Sequence, residues 1–198
     1  SAASDVYKKQ LELLAKLGIL NICVEFKKDS KLFEKLEKRV DGSKASAKYK
    51  YMGSRAIPLK YLDKWGIDLK AVEREATTIY KQRSSAEKIP IFKLNSDFWY
   101  FVGLVMGGGA IEEEKIVISQ KDAKEIKRIL ENVFPFANVR IAGTQIYLAN
   151  SIIAEILRKL DVRGKLNGLV FSLSEDCINA MIAGYIDADD NISLEFDK

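Results

Sequence analysis

The side chains best suited to chemistry in this sequence are carboxylates. An acidic run, Asp187-Ala188-Asp189-Asp190, closes one long apolar segment, and Glu112-Glu113-Glu114 follows another. Most other routes are closed by composition. The 198 residues include no histidine, which removes Ser-His-Asp and Cys-His nucleophiles together with His-ligated zinc and haem. Cys23 and Cys177 are too few for a four-cysteine zinc site or a disulfide scaffold, and read as buried thiols. Neither a Gly-rich loop ending in Gly-Lys-Ser/Thr nor a Rossmann fingerprint is present. Catalysis, if any, falls to carboxylates, lysines, hydroxyls or an oxygen-ligated metal.

Charge is distributed unevenly along the chain. Residues 1–95 carry 21 basic and 12 acidic side chains, and residues 96–198 carry 11 and 16, so a net +4 divides into +9 and −5. The basic half is a candidate polyanion surface and the acidic half a candidate metal site. Within the basic half, Lys48-Tyr49-Lys50-Tyr51 alternates so that a strand would place the lysines on one face and the tyrosines on the other. A content of 47% apolar and 30% charged residues suits one or two folded domains. The first residues are not those of a signal peptide, and the longest uncharged run, between Asp97 and Glu112, is too short to span a bilayer. A soluble, cytoplasmic protein is expected.

The elements that must position these residues follow from periodicity. Helices are expected over residues 5–17, ending at Gly18, over 31–40, and from Pro58 through Trp65. Strands are expected at 19–26 and 46–52. Residues 67–95 continue with helical spacing at Leu69, Val72, Ala76, Ile79 and Tyr80, then become a polar linker. Asn95 or Ser96 caps a helix through Gly107; a hairpin follows near 109–119, then a helix over 121–132. The next hairpin pairs 138–142 with 145–149 about Gly143-Thr144. Ser151 caps a helix to Leu160, and a last helix runs from Glu175 into the acidic run, followed by a strand at 192–196.

Two of these helices carry small residues four apart in bulky apolar surroundings, Gly103 with Gly107 and Gly184 with Ala188. Such spacing makes a groove into which a partner helix can pack closely. Residues 101–109 (Phe-Val-Gly-Leu-Val-Met-Gly-Gly-Gly) and 182–190 (Ile-Ala-Gly-Tyr-Ile-Asp-Ala-Asp-Asp) align as two copies of one nine-residue pattern. That pattern resembles the LAGLIDADG motif, with the second copy the more specific match.

The resemblance implies an α+β protein of two pseudo-symmetric αββαββα halves, with the motif helices packed at their interface and antiparallel sheets forming a DNA-binding saddle. Members of this family include homing endonucleases, free-standing, intron-encoded or embedded in inteins, and RNA-splicing maturases and regulators are relatives. By the same resemblance, Asp189 is the catalytic, metal-binding acid of the second motif, with Mg²⁺ or Mn²⁺ as cofactor. The matching position of the first motif is Gly108, a degenerate catalytic position without a ligand atom. Metal-dependent phosphodiester hydrolysis is therefore expected to be weakened, reduced to nicking or lost. Glu112, Glu113 and Glu114 lie past the helix end and are poor substitutes. The alternative is a DNA or RNA binding protein on the same fold that does not cut.

The partner implied is double-stranded DNA, with structured RNA as the alternative, no membrane partner and a monomeric protein. Strand faces would carry the readout, with Lys48, Lys50 and Arg55 from one half and Arg140, Gln145 and Tyr147 from the other. Gly103, Gly107, Gly184 and Ala188 would form the helix interface. Because little follows the second motif, residues 1–66 are assigned as the permuted remainder of the second half. Residues 67–95 are then a helical linker, 96–174 the first half and 175–198 the start of the second. The alternative is a fragment whose first 95 residues belong to another domain. Permutation predicts that Ser1 and Lys198 lie close together.

Overall fold

The computed structural model describes residues 10–40, 55–81 and 88–188. The expected strands at 46–52 and 192–196, Lys48, Lys50, Asp189 and the two chain ends lie outside the described residues, as does the start of the first helix. The described residues are α+β, with two antiparallel four-stranded sheets. They divide into two compact units, one within residues 10–92 and the other within residues 93–188.

In the first unit, helix α1 (Gln10–Lys16) leads through Gly18, whose φ of +69° suits glycine, to strand β1 (Ile22–Phe26). Helix α2 (Lys31–Val40) follows, then β2 (Ala56–Pro58), α3 (Leu59–Lys64), α4 (Leu69–Glu75), β3 (Ala76–Lys81) and β4 (Ile89–Pro90). The sheet order is β2-β1-β3-β4. Two carboxylates organise the helix starts. Glu73 accepts from the backbone N–H groups of Gln10 and Leu11 at 3.2 and 3.1 Å. Glu75 accepts from the Ser30 hydroxyl and from the Leu32 N–H, while Phe33 N–H donates to Ser30 Oγ. Each relieves N–H groups that a helix cannot satisfy internally.

The helical continuation expected after residue 67 stops at Glu75. Ala76 is extended, and the β-branched run Thr77-Thr78-Ile79 forms a strand in register with β1, Ile79 opposite Val24 and Tyr80 opposite Cys23. The apolar positions fit a helical period by coincidence, and sheet pairing decides the conformation. Pro58, expected to open a helix, ends edge strand β2 and caps α3 instead; its missing N–H is tolerated at an edge.

The second unit follows the order α5 (Ser96–Gly108), β5 (Gly109–Ile111), β6 (Lys115–Ser119), α6 (Ala123–Val133), β7 (Asn138–Ala142), β8 (Gln145–Ala149), α7 (Ser151–Leu160). A short 3-10 turn, Gly168–Ser172, precedes α8 (Glu175–Ala188). The sheet order is β5-β6-β8-β7. Asn95 caps α5 by accepting from Phe98 N–H, and Asn150, rather than Ser151, caps α7 by accepting from Ile152 and Ile153 N–H at 3.1 and 3.0 Å. One face of the sheet is covered: Ile116, Ile118, Val139, Ile146 and Leu148 are buried. The core continues through Phe98, Phe101 and Phe134, with the Phe101 and Phe134 rings packed edge to face at 5.0 Å. Cys23 and Cys177 are both buried thiols.

Candidate nucleic-acid interface

Helices α5 and α8 make the most extensive contact between any two elements of the described chain. Their small residues explain it. A Cβ added at Gly103 would stand 2.0 Å from the Met181 carbonyl oxygen, and one at Gly184 would stand 2.0 Å from that of Tyr100. At Gly107 the obstacles are the Ala188 Cβ at 2.5 Å and the Tyr185 carbonyl oxygen at 2.8 Å. The two backbones thus meet where a side chain would keep them apart. The helices differ in their other surroundings: Phe101 and Val105 of α5 are wholly buried, whereas the aligned Ile182 and Ile186 of α8 are 49% and 50% exposed.

At the C-terminal end of this pair the polar groups are bound to one another. Tyr100 donates its hydroxyl to Asp187 Oδ2 at 2.8 Å, and Gln120, almost fully buried, donates from Nε2 to the Asp187 carbonyl at 3.1 Å. Burial, and then the hydrogen bond and charge of Asp187, push the Tyr100 hydroxyl above its ordinary pKa. Gly108 offers no ligand atom, Glu112 pairs with Lys115 at 3.0 Å, and no group of three or more Asp, Glu, Cys or His among the described residues could hold a metal ion. Asp189, the acid that the resemblance assigns to the metal, lies outside the described residues.

The uncovered face of the second sheet is built differently. Alternation sends Asn138, Arg140 and Ala142 of β7, Gln145, Tyr147 and Ala149 of β8, and Lys115, Val117 and Ser119 of β6 to the side opposite the core. Strand register aligns them in rows. Arg140 lies opposite Tyr147, Tyr147 opposite Val117, and Val117 opposite Ala110 of β5; Ala142, Gln145 and Ser119 form the adjoining row. Contacts within the face hold its polar groups in place: Arg140 Nε donates to Asn138 Oδ1 at 3.3 Å, Tyr147 donates to Gln145 Oε1, and Lys115 Nζ lies 5.9 Å from the centroid of the Tyr147 ring.

Arg140, Gln145 and Tyr147 are therefore brought together on one face. Arg55 is placed otherwise. It occupies a turn at φ +50° in the first unit, donates to the Lys27 carbonyl and lies 4.5 Å from the centre of the Phe33 ring, so its guanidinium is engaged by its own unit. Sequence reasoning missed Tyr100, Gln120, Arg158 and Arg163. Arg163 Nη1 donates to the Met106 carbonyl at 2.8 Å, at the end of α5, and Arg158 donates to the carbonyls of Glu112 and Glu113. None of these lone polar residues belongs to a local pattern; their roles arise from tertiary proximity.

No protein-family model matches the chain. Among curated proteins, a reverse gyrase of Methanocaldococcus jannaschii is 50% identical over 190 residues, and one of Thermococcus kodakarensis is 43% identical over 192 residues. A reverse gyrase of Pyrococcus horikoshii is 41% identical over 109 residues. The chain is similar to a segment of reverse gyrases. The first two matches cover 95% of the chain, yet only 12% and 11% of those relatives' lengths. The relatives bear the name of reverse gyrases and not of homing endonucleases, which overturns the family assignment made from the motif pair. The expected site-specific endonuclease activity, weakened or otherwise, and the intein or intron association are corrected with it. Physically, small residues four apart report close helix packing, a need that is not confined to one family.

Proposed function

We propose that this segment is a DNA-binding module that holds duplex DNA on the open face of the β5-β6-β8-β7 sheet without cutting it. The observation that carries this reading is the registered row Arg140-Tyr147-Val117-Ala110, flanked by Asn138, Gln145 and Lys115. Neighbouring strands are about 4.8 Å apart, so three steps from β7 to β5 span about 14 Å. The major groove of B-DNA is about 12 Å wide, and a two-stranded ribbon already fits within it. The face therefore has the width to cover a groove from wall to wall. It combines a forked cation, an amide, a phenol and an ammonium, the groups that hydrogen-bond to base edges and phosphates.

Similarity to segments of reverse gyrases supports DNA over RNA as the partner. No helix among the described residues is long and apolar enough to cross a membrane. Gly108, where the resemblance would place the first motif's acid, carries no carboxylate, and this supports binding over hydrolysis.

The test is fluorescence anisotropy of the 198-residue chain with a randomised duplex across a salt series, and a denaturing gel of the same mixtures with Mg²⁺. Expected is binding whose log affinity falls by about 0.9 per log salt for each phosphate neutralised, a weaker Arg140→Ala/Tyr147→Ala variant, and intact strands. No binding, or binding unaffected by that double substitution, overturns the surface; strand breaks overturn the absence of cutting.

A further inference from the structure

Beyond edge strand β5 lies a concavity of about 270 Å³ lined by Gly109, Ala110 and Ile111 on one side and by Leu157, Arg158, Asp161, Val162 and Arg163 on the other. Two features separate it from an incidental surface dent. First, Arg158 and Arg163 both border it, and both are anchored by backbone carbonyls: Arg158 by Glu112 and Glu113, Arg163 by Met106. A carbonyl positions a guanidinium without cancelling its charge, and each anchor leaves some of the five N–H donors for a second partner. The carboxylate that also borders the space, Asp161, accepts from Lys165 N–H at 3.0 Å and stands on a turn at φ +53°, so two positive charges face one negative. Second, Ala110 belongs both to this concavity and to the open face, where it ends the row that begins at Arg140. The concavity therefore continues the open face past its β5 edge.

We propose that Arg158 and Arg163 form a phosphate-binding clamp for the DNA backbone at the wall of the groove that the sheet covers. The inference rests on the DNA-binding reading above. A sheet about 14 Å wide in a groove about 12 Å wide leaves its edges at the sugar-phosphate walls, and β5 is the edge beside which these two guanidinium groups are held. The ligand is a phosphodiester, met by the forked geometry that favours arginine over lysine for such groups. Positions fixed by backbone carbonyls would set the register of the protein on the duplex, while Arg140, Gln145 and Tyr147 face the bases.

The experiment measures the salt dependence of duplex affinity for the wild-type chain, Arg158→Gln, Arg163→Gln, the double variant and Arg158→Lys, with folding of each followed by circular dichroism. Each Gln substitution is expected to lower the slope of log affinity against log salt by about 0.9 and the double variant by about 1.8, whereas Arg158→Lys retains the slope. Arg163 also caps α5, so if Arg163→Gln fails to fold, Arg158→Gln decides alone. A wild-type chain that does not bind DNA overturns the DNA-binding reading and the clamp with it. Wild-type binding that weakens on Arg140→Ala/Tyr147→Ala but keeps its slope in Arg158→Gln overturns the clamp alone. A final arm replaces chloride by inorganic phosphate at equal ionic strength: phosphate is expected to weaken DNA binding by the wild type more than by Arg158→Gln, and phosphate that binds the wild type but not Arg158→Gln while leaving DNA affinity unchanged would assign the concavity to free phosphate and overturn the backbone clamp.

Discussion

Gly103→Ala isolates the contact on which the helix pair depends. In an ordinary helix interior this substitution stabilises by about 1 kcal/mol, because alanine loses less backbone entropy on folding than glycine. Here the new methyl would stand 2.0 Å from the Met181 carbonyl oxygen, 2.7 Å from the Tyr185 nitrogen and 2.9 Å from the Met181 carbonyl carbon. Ordinary van der Waals contact begins near 3.4 Å, so α8 would have to retreat by about 1.4 Å. The obstacles are backbone atoms of a packed helix, which cannot rotate aside as a side-chain tip can. Overpacking of this kind costs about 1–3 kcal/mol, and the rigid obstacle places Gly103 at the upper end. After the helical gain is subtracted, a net loss of about 2 kcal/mol remains, which for a chain of this length lowers the melting temperature by about 4–8 °C. Gly108→Ala is the internal comparison, five residues along the same helix. Its methyl would lie 3.4 Å from the Ala188 carbonyl oxygen and 3.7 Å from that of Ser119, ordinary contacts, so up to about 1 kcal/mol of gain is expected. Thermal denaturation followed at 222 nm reads both. Opposite signs are the expectation; a Gly103→Ala chain that melts at or above the wild-type temperature refutes the close-packing account.

Two further outcomes concern protons. Glu75 is held below the usual carboxylate range, first by the hydrogen bond from Ser30 and then by that from the Leu32 N–H. Its contribution is full above the ordinary glutamate value near 4.5 and is lost as pH falls through the depressed folded-state value, so denaturant midpoints of Glu75→Gln should decline less steeply than wild type below pH 4.5; equal slopes would refute the assignment. Tyr100 shifts in the opposite sense for stability, because its folded-state value is raised, mainly by burial. Above about pH 10 unfolded chains lose this proton and folded ones keep it, so stability falls as pH rises, and Tyr100→Phe should remove part of that alkaline slope. Absorbance at 295 nm should show one tyrosine fewer ionising in the folded wild type, and a full complement ionising normally would sink the prediction.

What the sequence made legible follows from how local each determinant is. The second hairpin could be placed with both strands and its turn, because strict alternation on either side of Gly143-Thr144 leaves one register that buries Val139, Ile146 and Leu148. Helix α2 was equally plain, its apolar positions recurring on one charged helix. The stretch after Leu69 misled because apolar spacing is ambiguous over so few residues; Ile79 and Tyr80 satisfy a helical period, yet pairing with Val24 and Cys23 determines their conformation. At the candidate interface, Arg140, Gln145 and Tyr147 were found from the same alternation that exposes them. Arg158 and Arg163 were not, since their partners are backbone carbonyls about 45 to 57 residues away in sequence, and carbonyls leave no trace in residue type.

The most specific sequence signal, the small residues at 103, 107, 184 and 188, acquires a different meaning in this setting. Helix α5 passes into β5 without an intervening residue: Gly108 ends the helix and Gly109 begins the strand, where a Cβ would come within 2.7 Å of the Val105 Cα. The edge of the open face is therefore covalently continuous with the tightest helix contact in the unit. Arg163 closes the last carbonyls of α5 at the same point, and Gln120 ties the end of β6 to the last turn of α8. A shift of α8 along α5 would be felt by two of the four strands before any side chain on the face moved. The close-packed pair thus serves to hold the open face of the sheet in register, a task that needs glycine at 103 and 107. That task makes a further demand on Gly103→Ala: if the helix pair positions the face, the substitution must weaken DNA binding at temperatures where the chain remains folded, while Gly108→Ala leaves affinity unchanged.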